Sequence, residues 1–197
     1  MQEVRDRAIS AETIVVDGSD ILNLGPSLVL ERCKITLSAS WRTLVLHGVQ
    51  FLDCDIVAKK KLTNFRWDMA AFRDCRFSGT FTGNDWGHWP DVDYPAIVEN
   101  CDFTHAVLDA CRVLGAAARS NKFPAWPCFT IFDPISRLDA LRKLDWPGEM
   151  TTVIDSLDGS STEVTSATFH FPSLVKKFKI EEKALRRALT QAGDVFF

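Results

Sequence analysis

The stretch that decides the fold is CDFTHAVLDACRVLGAAARSNKFPA, residues 101–125. Cut every five residues, its first positions read Cys101, Ala106, Cys111, Ala116 and Asn121. Its third positions read Phe103, Leu108, Val113, Ala118 and Phe123. A small residue is followed two later by a larger apolar one, and the pair recurs on the same beat. Neither the helical period near 3.6 nor the strand period of two produces that pattern. A chain that turns a corner every five residues does. Residues two apart on an extended side share a face, so each side turns one small and one large group inward.

Upstream, the cysteines keep a slower time. LERCKI (30–35), FLDCDI (51–56), FRDCRF (72–77) and VENCDF (98–103) share one frame. An apolar residue stands three before each Cys, a charged or amide residue precedes it, and an apolar residue stands two after. Cys33, Cys54 and Cys75 recur at equal intervals, and the step from Cys75 to Cys101 is longer. This is an internal repeat. In stacked coils about 4.8 Å apart, equivalent cysteines form an inward ladder of small, weakly polar groups. A disulfide and a metal site are the competing readings. The metal reading wants close Cys or His pairs, yet the nearest pair is Cys101 and Cys111 and the four histidines are scattered. Packing is therefore favoured.

CDFTH and CDIVA fit a small residue, Asp or Asn, Leu or Phe, then two small or polar residues. This resembles the pentapeptide-repeat family. The resemblance implies a right-handed parallel β-helix with four pentapeptides to a square coil. It is clean over 101–123, degenerate over 28–82, and broken by KKKLTNFRW at 59–67. The expected fold class is mainly β, a right-handed parallel β-helix with a C-terminal α/β cap or lobe. Residues 1–125 form the solenoid with an N-terminal cap, and 126–197 pack on it.

Within that division, ETIVVDGSDILNL reads as two short strands around Asp17-Gly18 that cap the first coil. The extra residues between Cys75 and Cys101 bulge out in GNDWGHWPDVDYP, 83–95, where Gly and Pro mark a loop. After 125, FTIFDP reads as a strand. Asp133 then caps a helix that begins with Pro134 and runs through about Lys143 until Trp146-Pro147-Gly148 stops it. TEVTSATFHF at 162–171 alternates as a strand. Residues 173–193 are helical, broken near Lys179-Ile180, with Leu174, Phe178, Leu185, Ala188 and Leu189 on one face and Gly193 as the stop. Trp126 and Phe129 seal the last coil, and Trp41 and Trp67 lie on coil sides.

The 197 residues carry 46% apolar and 25% charged residues and a net charge of −3, so bulk charge points to neither nucleic acid nor membrane as partner. The start, MQEVRDRAIS, lacks an apolar signal region. No run approaches the roughly 18 apolar residues that cross a bilayer. A reducing cytoplasm is the expected setting.

GxSxG, P-loop, GxGxxG and HExxH motifs are all missing. His88 and His105 with Asp85, Asp91 and Asp93 make the candidate acid/base cluster, but no nucleophile accompanies them. The chain therefore reads as a non-enzyme with neither cofactor nor metal. Between Phe77 and Cys111 there is no Lys or Arg, yet there are six acids: Asp85, Asp91, Asp93, Glu99, Asp102 and Asp109. The inserted loop adds Trp86, Trp89 and Tyr94. Asp85, Trp86, His88, Trp89, Asp91, Asp93 and Tyr94 are the candidate partner-binding residues, with aromatic anchors and carboxylates that steer a basic partner. The competing reading folds this loop back as a structural flap. The basic run from Lys176 to Arg187 reads as the solvated side of an amphipathic helix.

A degenerate β-helix of this size with an acidic aromatic loop resembles bacterial immunity proteins, which bind and block a cognate toxin. The second expectation is DNA mimicry toward a type II topoisomerase, as in some pentapeptide-repeat proteins. Residues 1–130 hold 16 acids against 14 bases, a poor copy of a polyanion. A scattered-residue enzyme and a plain scaffold complete the set.

Overall fold

A residue in left-handed backbone conformation precedes every cysteine of the slower repeat. Arg32, Asp53, Asp74 and Asn100 have φ of 52°, 50°, 55° and 53°, and Ala11 continues the series at 58°. Asp and Asn visit this region more readily than other residues with a Cβ, which explains the polar residue before Cys54, Cys75 and Cys101. A second set of corners lies at Asp6, Ser27 and Gly48. Ser27 and Arg32, like Gly48 and Asp53, are spaced as the five-residue beat requires.

The computed structural model describes residues 1–197, except for the side chains of Trp41, Ala116 and Ala117. The readings placed on Trp41 and on the Ala116 side chain lie outside the described residues. Between the corners run short strands. The first coil holds β1 (Gln2–Val4), β2 (Ala8–Ser10) and β3 (Thr13–Val16). The second holds β4 (Leu22–Leu24), β5 (Leu28–Glu31) and β6 (Lys34–Leu37). The third holds β7 (Leu44–Leu46), β8 (Val49–Leu52) and the longer β9 (Asp55–Thr63). Above them come β10 (Ala70–Arg73), β11 (Arg76–Thr82), β12 (Asp85–Gly87), β13 (Ile97–Glu99) and β14 (Asp102–Asp109). Successive coils pair in parallel, in the orders β1-β4-β7, β2-β5-β8-β10-β13 and β3-β6-β9-β11-β14. The fold is a parallel β-solenoid. The N-terminal segment does not cap it; β1, β2 and β3 pair with β4, β5 and β6 and add one more rung.

Register keeps equivalent residues over one another. Leu30 lies beside Phe51, Phe51 beside Phe72, and Phe72 beside Val98. Ile35, Ile56 and Phe77 form the next inward file. Phe51 stacks on Phe72 with ring centroids 4.7 Å apart, and Phe77 on Phe103 at 4.6 Å. Between these files stand Cys33, Cys54, Cys75 and Cys101, and all six cysteines are buried and free. Thiols reach back to carbonyls of the preceding coil: Cys54 Sγ to Leu30 O at 3.2 Å, Cys75 to Phe51 O and Cys111 to Phe81 O at 3.4 Å. Asn121 ends the ladder. Its Oδ1 accepts the Cys101 N–H at 2.8 Å and its amide donates to Val98 O at 3.2 Å. The neighbouring Cys101 thiol, together with burial, pushes the Cys75 thiol up to about 12. Burial is the main cause of the same rise at Cys111.

KKKLTNFRW breaks the repeat by bulging. Ala58 pairs with Gly79 and Leu62 with Phe81, so Lys59, Lys60 and Lys61 face a single residue of the next rung and point outward. Gly79 is required there: its φ is +102°, and a Cβ would sit 2.1 Å from Ala58 O.

The upper end is closed by the C-terminal lobe. β15 (Cys111–Leu114) pairs in parallel with β12, and its other edge takes an antiparallel partner. The order is β12-β15-β17-β16-β18, with β16 (Cys128–Phe132), β17 (Val164–His170) and β18 (Val195–Phe196). Asp133 does not cap a helix. It sits at φ 48° with its carboxylate on Arg119, and α1 (Leu138–Arg142) begins only later. A helix absent from the sequence reading, α2 (Met150–Asp155), follows the Trp146–Gly148 break. The last helical stretch divides into α3 (Phe171–Phe178) and α4 (Glu182–Ala192) at Lys179, whose φ is 50°. Leu174, Leu185, Ala188 and Leu189 are buried with Phe129 and Trp146 in a second core. Phe129 and Trp126 thus belong to the lobe and do not seal the coil below. Trp67 is buried inside the solenoid core and does not lie on a coil side. No described helix is long and apolar enough to cross a membrane.

Two outcomes follow for the scaffold. A thiol reagent at pH 8 should label no cysteine of the folded protein and all six in denaturant, because every thiol is buried. Gly79→Ala should lower the unfolding free energy by about 2 kcal/mol or more in urea titration, since it meets both a forbidden backbone angle and a carbonyl.

Candidate functional site

The inserted segment departs from the wall at Gly87, and just before it Trp86 points inward while Asp85 points to the outer face beneath the segment. Asp85 and Trp86 lie in β12 and are buried, with 6% and 1% exposure. The Trp86 ring stacks on Trp67, centroids 6.1 Å apart and planes 7° from parallel, with Phe77, Phe81 and Phe103 against its edges. Of the expected binding residues, Trp86 is therefore a core element, and Asp85 is buried on the opposite face against Arg112. The period-two alternation of a strand runs through Asn84 and Trp86, and the glycine-rich surroundings conceal it.

Asp85 is held by Arg112 through two parallel bonds, Nε to Oδ1 at 2.8 Å and Nη2 to Oδ2 at 2.7 Å. Gly87, at φ +97° and with Leu114 O 2.1 Å from where a Cβ would stand, lets the chain turn out. Residues 88–96 then form a strap lying against the wall. His88 Nδ1 and Tyr94 O meet at 2.9 Å and close its two ends. Trp89 is half-buried, with the Arg66 guanidinium 4.4 Å from its ring centroid and that of Arg112 at 5.3 Å. Each cation-π contact of this kind contributes about 0.5–1 kcal/mol at a partly exposed site. Arg66 also holds Asp68 at 2.6 Å and Asp91 at 3.0 Å. Its donation keeps the Asp91 carboxyl below the usual range. Tyr94 packs half-buried beside Gly48, and burial pushes its hydroxyl up, partly offset by Arg73. Pro90, Asp91, Asp93 and Pro95 face solvent.

The acids of 77–111 are dispersed by the coil geometry. Arg112 answers Asp85, Arg66 answers Asp91, and Arg73 reaches Glu99 at 3.6 Å. All three arginines lie outside the stretch without bases, one coil away. Arg66 and Arg112 were not among the expected site residues, and the signal for them lies in the repeat itself: Arg66 bridges to Asp85 and Asp85 pairs with Arg112 in register. The expected acid/base cluster is likewise separated. His88 is bound to a backbone carbonyl, Asp85 and Asp91 are held by arginines, and His105 stands on β14 beside Ser78. Among the described residues, no three His, Cys, Asp or Glu side chains form a metal-binding group. A cleft of about 310 Å³ separates solenoid and lobe, with Asp109, Ser156, Ser173 and Lys177 around an apolar floor of Phe169 and Leu174.

The chain matches no protein family, no curated protein and no solved structure.

The two acids Asp85 and Asp91 differ in what they support. Asp85→Asn leaves a partly buried guanidinium without its charge partner and should cost about 3 kcal/mol. Asp91→Asn should leave the urea midpoint essentially unchanged, because that pair is exposed to solvent.

Proposed function

We propose that this protein is a non-catalytic protein-binding protein, an immunity protein that neutralises a cognate bacterial toxin through the strap. The observation that carries this reading is the Arg66–Trp89–Arg112 clamp. It fixes the Pro-Asp-Val-Asp-Tyr-Pro segment on a rigid wall. A recognition element that is ordered before it binds loses little conformational entropy on association. Asp91 and Asp93 then present carboxylates to a basic partner surface, where they raise the encounter rate and fix orientation. The chemistry of the other groups agrees. Cys75 and Cys111, held protonated in the core, are poor nucleophiles, and His88 has one ring nitrogen engaged by the strap itself. Three outward lysines on the same solenoid weigh against imitation of a polyanion.

The test is protection in cells. The protein is co-expressed with a panel of bacterial toxin domains with basic surfaces, and any complex is measured with purified components. The double variant Asp91→Lys/Asp93→Lys should lose protection and weaken binding at least tenfold, with an unchanged circular dichroism spectrum. Trp86→Ala is no control, because it empties the core. Full protection by the double variant would overturn the reading, and inhibition of gyrase supercoiling by the purified protein would replace it with DNA mimicry.

A further inference from the structure

Solenoid and lobe do not close on each other completely. The cleft of about 310 Å³ lies between the wall at β11 and β14 and the lobe's α2 and α3, and a second recess of about 150 Å³ adjoins it across Ala110, Ser156 and Phe169. Its solenoid side follows from strand alternation. Phe81 and Leu108 turn inward and are buried, so their neighbours Thr82 and Asp109, paired in register, turn outward and line the cleft. The floor is apolar, with Phe169 and Leu174 in the cleft and Leu157 and Ala167 in the recess. Spaces of this size stand at the lower end of ligand cavities, where an apolar lining and a few convergent polar groups fix a small molecule.

The polar groups of the cleft lack the partners their chemistry calls for. Asp109 forms no ion pair among the described residues; its Oδ1 accepts the backbone N–H of His170 at 3.4 Å, longer than a strong bond. Lys177 of α3 forms no ion pair among them either, and its ammonium rests 4.7 Å from the Phe178 ring centroid. Thr82 Oγ1 is shielded from solvent and has no hydrogen-bond partner, a condition that few buried polar groups sustain. Arg112, the charge of the adjoining recess, is already taken by Asp85 and Ser160. Opposite charges thus stand on opposite walls, one on the solenoid and one on the lobe, without pairing. A simple anion drawn to Lys177 is repelled by Asp109, and a simple cation meets the reverse. A molecule that carries both charges satisfies both walls.

We propose that the cleft binds a small zwitterion with an apolar body, the chemistry of an apolar α-amino acid or of a dipeptide of such residues. Its ammonium lies at Asp109 and donates also to the Thr82 hydroxyl, its carboxylate lies at Lys177, and its side chain covers Phe169 and Leu174. One charge contact comes from the solenoid and the other from the lobe, so the bound molecule ties the two together. The inference does not rest on the strap, and either can fail without the other.

Isothermal titration calorimetry of the full chain with leucine, phenylalanine and the dipeptide Leu-Leu tests it. At least one should bind, and the tightest of them tells a free amino acid from a peptide. That ligand is then compared with its N-acetyl form, which lacks the cation, and its amide, which lacks the anion. Each derivative should lose about tenfold or more in affinity. Asp109→Asn should remove the discrimination against the N-acetyl form and keep that against the amide; Lys177→Gln should do the opposite. A general loss of folding cannot produce that exchange, and circular dichroism checks each variant. Binding by none of the three zwitterions at millimolar concentration, a derivative as tight as its parent, or discrimination that survives both substitutions would each overturn the proposal.

Discussion

Parallel pairing between successive coils is the constraint to which the rest of the molecule answers. A coil that returns at a fixed interval places like side chains over like, and only a few kinds of residue tolerate that repetition. Flat aromatics stack, branched aliphatics interlock, and thiols fit because they are small and donate weakly to the carbonyl below. A hydroxyl in the same file would ask for a stronger partner, and a charge would be buried beside its own image. The left-handed corner before each thiol is the other half of the device. It fixes the backbone at one residue per coil so that the next residue starts the following side in phase.

The strap illustrates how a solenoid converts sequence distance into contact. Arg66, Asp85 and Arg112 are far apart along the chain, yet the three occupy adjacent rungs of one wall. An apparent excess of acid along the chain becomes a ladder of alternating charge across it. What remains exposed is narrower than the sequence suggests: the outer edge of the strap, with Asp91 and Asp93 between two prolines.

Much of this is legible in the sequence. The five-residue beat of 101–125 marks inward positions, and Cys101, Phe103, Leu108, Cys111, Val113 and Phe123 are all buried. The break at Lys179 between two helices is visible as well, since a charged residue interrupts the apolar face there. Three things are not. The strand nature of Asp85–Gly87 is hidden because flanking glycines and prolines look the same whether the chain is turning or passing close to another backbone. The first rung reads as a cap because its strands are short and charged corners separate them. The lobe's first helix is misplaced because Asp-Pro is equally at home in a left-handed turn and at a helix entrance. In each case the local residues suit two conformations, and the neighbouring coil chooses.

The extra residues between Cys75 and Cys101 enter on one side and leave no trace in the files above and below: Phe72 still lies beside Val98, and Phe77 still stacks on Phe103. The length of the segment is thereby uncoupled from folding at this point. Segments of other lengths and chemistries could be grafted between Gly87 and Ala96 while the core beneath keeps its spacing, which makes the wall a natural chassis for inserted loops.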